Sequence, residues 1–245
     1  MASWEVLTPR RTQKIGRVTR WPGNIAIVIL DIAFVRILFP VSAVALAMLL
    51  EANGSGLFNV WQIPIWLAIP LAVIILDFVI YLQHVLFHAI PLLWRLHRMH
   101  HADLEFDITT GTRFHPIEIM LSMTIKLAMI AALGAPAVAV LIFEILLNAT
   151  PMFNHSNVRI PTASDHVLRW FVVTPDMHRV HHSVLKDETN SNYGFNLPWW
   201  DPLANWIPWP PPKLHILLSL GRIDFGRLQV SPSSPENKTN CSQGF

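Results

Sequence analysis

The stretch "TPDMHRVHHS" (residues 174–183) places His178, His181 and His182 within five positions, and "LHRMHH" (96–101) repeats the spacing with His97, His100 and His101. A third group, "HVLFH" (84–88), supplies His84 and His88. Residues three and four apart share a helix face. Each group therefore reads as a helical turn presenting several imidazoles to one place, an arrangement suited to a metal. Repeated twice, the pattern points to an all-α fold that gathers its histidines at one end.

The rest of the chain says where that end lies. Of 245 residues, 52% are hydrophobic and only 14% charged, against about 25% charged in soluble domains. The length suits one domain. An apolar run at 24–50 is too long for a signal-peptide core and reads as a retained membrane helix. A second run covers 62–83 and leads into "HVLFH". Beyond a polar stretch at 91–115, "PIEIMLSMTIKLAMIAAL" (116–133), a "GAP" turn and "AVAVLIFEILLNATPMF" (137–153) read as a hairpin of two short spans. From 154 onward the chain is mixed, with short helices and proline-rich loops.

These features predict an integral membrane protein with about four transmembrane helices and a histidine-rich helical cap. Its parts are a basic segment at 1–23, a membrane domain at 24–230 and a disordered tail at 231–245. Basic residues collect at 10–20, at Arg95, Arg98 and Arg113, and beyond Arg159, whereas the turns near 51–60 and 134–136 carry none. The positive-inside rule then puts both termini and every histidine group in the cytoplasm. Lys126 and Glu144 lie nine residues either side of Ala135, so they reach similar depth on the hairpin's arms and are expected to pair. Asp31 and Arg36, five apart, are poorly spaced for pairing with each other.

Eight clustered histidines exceed the needs of one ion, so two ions are the natural reading. His115, in "RFHPIE", and His155, in "FNHSN", lie at the same membrane surface and bring the candidate ligands to ten, about five for each ion. His166 and His215 are expected to stay outside. Imidazole suits iron, zinc, copper and nickel alike. A mostly nitrogen site with open positions beside an apolar cavity fits iron, while zinc remains possible in isolated protein. Asp77 and Tyr81 share the face of His84, Asp176 and Asp187 flank the third group, and Asn192 follows it. These are candidates to orient the ligands. The lone cysteine, Cys241, excludes a disulfide framework and a thiolate-held cluster. No basic tract suggests nucleic acid.

Taken together, "DFVIYLQHVLFH", "HRMHH", "RFHPIE", "FNHSN", "TPDMHRVHH" and "NSNYGFNLPWWD" resemble the fatty acid hydroxylase superfamily, which includes sterol desaturases. The resemblance runs from Asp77 to Asp201 and implies a membrane di-iron oxygenase that hydroxylates or desaturates a lipid, fatty acyl, sterol or related, with dioxygen. Val85 and "WWDPLANWIPWPPP" depart from the family's usual pattern. The chain has neither a GxGxxG loop nor a cysteine cluster, so electrons are expected from a separate protein. Trp94, Trp199, Trp200 and Trp206 are expected at the membrane interface or the cavity entrance. Two other readings compete: a zinc-dependent lipid hydrolase, and a non-enzymatic electron carrier with two bis-histidine haems.

Overall fold

Pro40 falls inside the apolar run 24–50, and the helix breaks there. A computed structural model describes residues 1–103 and 105–204. After α1 (Ala2–Leu7), the expected single span is two helices, α2 (Arg17–Leu38) and α3 (Ala43–Ala52). Proline has no N–H to continue the ladder. Ser42 restarts it, its side chain accepting from the Ala45 N–H at 3.2 Å. The first long apolar helix, α2, also starts at Arg17, inside the basic segment, rather than at 24.

The chain continues through α4 (Leu57–Val60), α5 (Ile65–Ala89), α6 (Pro91–His101), a 3-10 turn (Thr110–Thr112), α7 (Pro116–Leu133) and α8 (Ala137–Asn154). Four short helices follow: α9 (Thr162–Leu168), α10 (Pro175–His181), α11 (Lys186–Thr189) and α12 (Trp200–Leu203). No strand forms among the described residues; Pro9 and Val158 make an isolated bridge. Four segments are long and apolar enough to cross a membrane: Arg17–Val60, Ile65–Ala89, Pro116–Leu133 and Ala137–Asn154.

The hairpin forms where the sequence places it. α7 opens on Pro116 and ends at Gly134, whose left-handed φ of 62° is tolerated because glycine has no Cβ. Gly56 meets it from the α3–α4 turn with φ 93°, and a Cβ on Gly56 would collide with the Gly134 backbone. Glu51 Oε1 accepts from the Ala137 N–H at 3.2 Å. The two turns away from the histidines thus lock together.

Ala47, Ala72, Ala139, Val140 and Phe143 are fully buried between these helices. Small residues let membrane helices approach closely, where packing rather than the hydrophobic effect holds them together. Lys126 Nζ lies 2.6 Å from Glu144 Oε1, the pair expected from their equal depth.

The basic N-terminal segment folds down beside the histidine groups. Glu5 is fully buried, and its Oε1 accepts from the N–H groups of Ile108 and Asn157 at 2.9 and 2.7 Å. Arg20 pairs with Asp103 at 2.8 Å and also with Asp107. Arg10 Nε donates to Asp176 at 3.1 Å. Trp206, His215, Cys241 and the 231–245 tail lie outside the described residues, as does the side chain of Asp187.

Candidate metal centre

Nine of the ten candidate ligands converge in two groups. His84 and His88 from α5, His97 and His101 from α6, and His181 from α10 form one; His100, His155, His178 and His182 form the other. Within each group the ligand nitrogens lie within 4.8 Å of one another. The HxxHH spacing turns out to serve both groups at once. In α6 the first and last histidines go to the five-membered group and the middle one to the other. In α10 the assignment is reversed. Positions i and i+4 stay together while i+3 is turned aside, so each box straddles the pair of sites.

His115 joins neither group. It caps α7, its Nδ1 accepting from the Ile117 N–H at 3.2 Å. The proline that follows fixes the helix start there, and the ring is used locally. His166 is exposed and also lies outside both groups.

The ring tautomers decide what the groups can bind. His155 Nδ1 donates to the Pro151 carbonyl at 2.8 Å, and His100 Nδ1 donates to the Arg113 carbonyl at 3.2 Å. A carbonyl only accepts, so each Nδ1 holds the proton and each Nε2 is a bare lone pair. Those two Nε2 atoms face each other at 3.0 Å. Nε2 of His178 and of His182 also approach His155 Nε2, at 3.0 and 3.1 Å. One lone pair cannot bond to three rings, but a cation can share all four. In the other group, Nδ1 of His84 donates to the Tyr193 carbonyl and Nδ1 of His181 to the Ser191 carbonyl, both at 2.8 Å. The Nε2 atoms of His84, His97, His101 and His181 are buried without hydrogen-bond partners among the described residues.

Burial, reinforced by mutual repulsion, holds His97, His100, His101, His178, His181 and His182 well below the ordinary imidazole pKa. Burial pushes His155 down to about 3. These rings are neutral at physiological pH, which is the ligand form. Two sets of neutral nitrogen donors fit two borderline cations such as iron or zinc. Haem does not fit, because four or five imidazoles converge in each group and the extra rings fill the plane a macrocycle would need.

The expected orienting residues act less directly. Asp77 bonds no histidine among the described residues; it accepts from Asn196 Nδ2 at 2.7 Å, Trp200 Nε1 at 2.7 Å and the Leu197 N–H at 3.3 Å. Asp201 takes the N–H groups of Tyr193 and Gly194, each at 2.9 Å. The two carboxylates pin the loop whose carbonyls hold His84 and His181. Asn192 sits between those carbonyls with φ 53°, a left-handed turn that asparagine tolerates. Tyr81 packs against Phe78 and Trp200. Asp176 pairs with Arg10 and lies 3.7 Å from Arg179.

Glu118, missed in the sequence, does bond a ligand: its Oε1 accepts from His97 Nδ1 at 2.7 Å. Phe114 stacks on His100 at 4.4 Å, and Trp94 packs against His88 at 4.9 Å. A cavity of about 480 Å³ opens beside the centre, lined at one end by His84, His97, His100 and His178 and reaching Lys126 and Glu144. Lys126 lies eight positions beyond Glu118, or about 12 Å further along α7. Ile80, Phe87, Met123 and Leu147 supply apolar wall.

The sequence matches the family model described as fatty acid hydroxylase over residues 69–205. It is 32% identical over 150 residues to ornithine lipid hydroxylase OlsE of Rhizobium tropici, an alignment covering 61% of this chain and 44% of that protein. It is 26% identical over 149 residues to alkylglycerol monooxygenase of Xenopus tropicalis, covering 59% and 31% respectively. The chain thus matches less than half the length of these curated relatives. No solved structure matches it. The matched segment takes in every histidine of both groups and more than half of the chain, which belongs to the fatty acid hydroxylase family.

Proposed function

We propose that this protein is a multi-pass membrane oxygenase that hydroxylates or desaturates a lipid, using two irons, dioxygen and electrons from a separate protein. One observation carries the reading: nine histidines converge in sets of five and four, and four of them line the end of a largely apolar cavity. The ions, when bound, supply the activation of dioxygen and the removal of hydrogen from an unactivated C–H bond. The protein's part is to keep the imidazoles deprotonated, to fix their tautomers through backbone carbonyls and Glu118, and to shape a dry cavity for an alkyl chain. The arginine-rich surroundings of the histidines support a centre on the cytoplasmic side, within reach of a reductase or another electron carrier. The relatives' names, an ornithine lipid hydroxylase and an alkylglycerol monooxygenase, point to polar lipids as the substrate class.

The test begins with metal analysis of the purified protein. Lipid mass spectrometry then compares cells with and without it. A dioxygen-dependent gain of one oxygen atom marks hydroxylation, and a loss of two hydrogens marks desaturation. A zinc-loaded protein that cleaves lipid without dioxygen or reductant would replace this reading with metal-assisted hydrolysis.

A further inference from the structure

Asp31 sits near the middle of α2 and turns inward to line the cavity. Its chain neighbours Leu30 and Ile32 are exposed, whereas Asp31 is only 6% exposed. Its Oδ1 has no hydrogen-bond partner among the described residues. The other charges along the cavity are otherwise engaged or placed. Lys126 is paired with Glu144 at 2.6 Å. Glu118 accepts a hydrogen bond from His97 Nδ1 at 2.7 Å. Arg36 is exposed and lines the cavity too, but five positions along it is poorly spaced to pair with Asp31. Glu118 lines the same cavity as Asp31.

A buried carboxylate without a donor beside an apolar cavity is a costly arrangement for the protein alone. A ligand bearing a cationic N–H group supplies both the missing hydrogen bond and a counter-charge. An anion is repelled by the carboxylate, and a neutral ester has no proton to give. We propose that Asp31 recognises an ammonium group on the lipid, and so selects amine-bearing lipids over neutral and anionic ones. Calling that lipid the substrate rests on the oxygenase reading; the binding preference does not. Asp31 precedes the segment that matches the family, residues 69–205, so selectivity is carried by a helix outside the matched region.

The experiment uses the full-length, metal-loaded protein in uncharged maltoside micelles. Equilibrium binding is measured for tetradecylamine, tetradecanol and tetradecanoate. The amine is expected to bind at least about tenfold tighter than the alcohol, the scale of a charge-assisted hydrogen bond. Asp31→Asn, nearly isosteric, is expected to remove that preference while leaving the alcohol's affinity unchanged; Asp31→Glu is expected to restore part of it. Equal binding of amine and alcohol by the unaltered protein overturns the proposal without recourse to any variant. So does an undiminished amine preference in Asp31→Asn, or tightest binding of tetradecanoate. Lipid oxidation is followed on the same samples after adding dioxygen and a chemical reductant. Amine preference without any oxidation sinks the oxygenase reading alone, and oxidation without amine preference sinks this one alone.

Discussion

The Nε2 atoms of His100 and His155 face each other at 3.0 Å, although each ring has already committed its Nδ1 proton to a backbone carbonyl. Two lone pairs repel at this distance unless a cation lies between them. His155→Ala removes the nitrogen that three other rings approach. It is expected to lower bound metal from about two ions per chain toward one, read by elemental analysis, with lipid oxidation lost. His181→Ala is expected to do the same from the five-histidine side. Unchanged metal in both variants would sink the assignment.

His115 provides the contrast. Its ring caps α7 and faces neither group. His115→Ala is expected to keep full metal content while costing about 1 kcal/mol of stability through the lost cap. A drop in metal content would restore His115 to the ligand set.

Glu118 holds His97 in the tautomer that leaves Nε2 bare. Glu118→Ala is expected to weaken metal binding at the five-histidine group by about 10–100-fold, the usual scale for losing such a partner. Glu118→Gln retains an acceptor and is expected to lose less. Chelator competition on the purified protein distinguishes the two variants.

Glu144→Leu strands the Lys126 ammonium among helices, where Lys126 is only 8% exposed. The expected cost is about 3 kcal/mol, seen as a fall in unfolding temperature. Lys126→Met is expected to cost less, because Glu144 keeps 26% of its side chain exposed. The double variant Lys126→Met/Glu144→Leu is expected to lie near the parent protein, since two apolar side chains replace the pair.

The buried histidines also fix a direction of pH dependence for the metal-free protein. Their folded pKa values lie below the ordinary 6.5, with His155 at about 3. The unfolded chain therefore binds protons first as pH falls. Stability is fully present above about pH 6.5 and is lost below it, by up to about 1.4 kcal/mol per pH unit for each such histidine. With several rings acting together, acid unfolding of the metal-free protein is expected to be steep, and bound metal is expected to move the transition to lower pH. A flat profile between pH 6.5 and 5 would contradict neutral burial.

Much of this was legible because it depends on local spacing. The four apolar segments, the helical hairpin and the Lys126–Glu144 pair follow from run length and distance to the turn, and the histidine boxes from i, i+3, i+4 geometry. What escaped depends on backbone detail or on partners distant in the chain. Pro40 was a visible breaker, but hydrophobicity alone ran straight through it. "HPIE" carried a helix-start signal that competed with ligation at His115. Asp77 shares a face with His84, yet its hydrogen-bond partners come from more than a hundred positions away, at Asn196, Leu197 and Trp200. No spacing rule reaches that far. The carbonyls of Tyr193 and Ser191 were invisible for another reason: every residue has a carbonyl, and only the fold says which one is used.

The two HxxHH boxes would couple two neighbouring metal positions mechanically. A single turn of α6 carries rings for both, and so does a single turn of α10, with the roles exchanged. Either helix acts as a yoke: tilting it to suit one cation moves a ring belonging to the other. Occupying the first position would therefore order rings of the second, and the unaltered protein is expected to bind its second ion more tightly than its first.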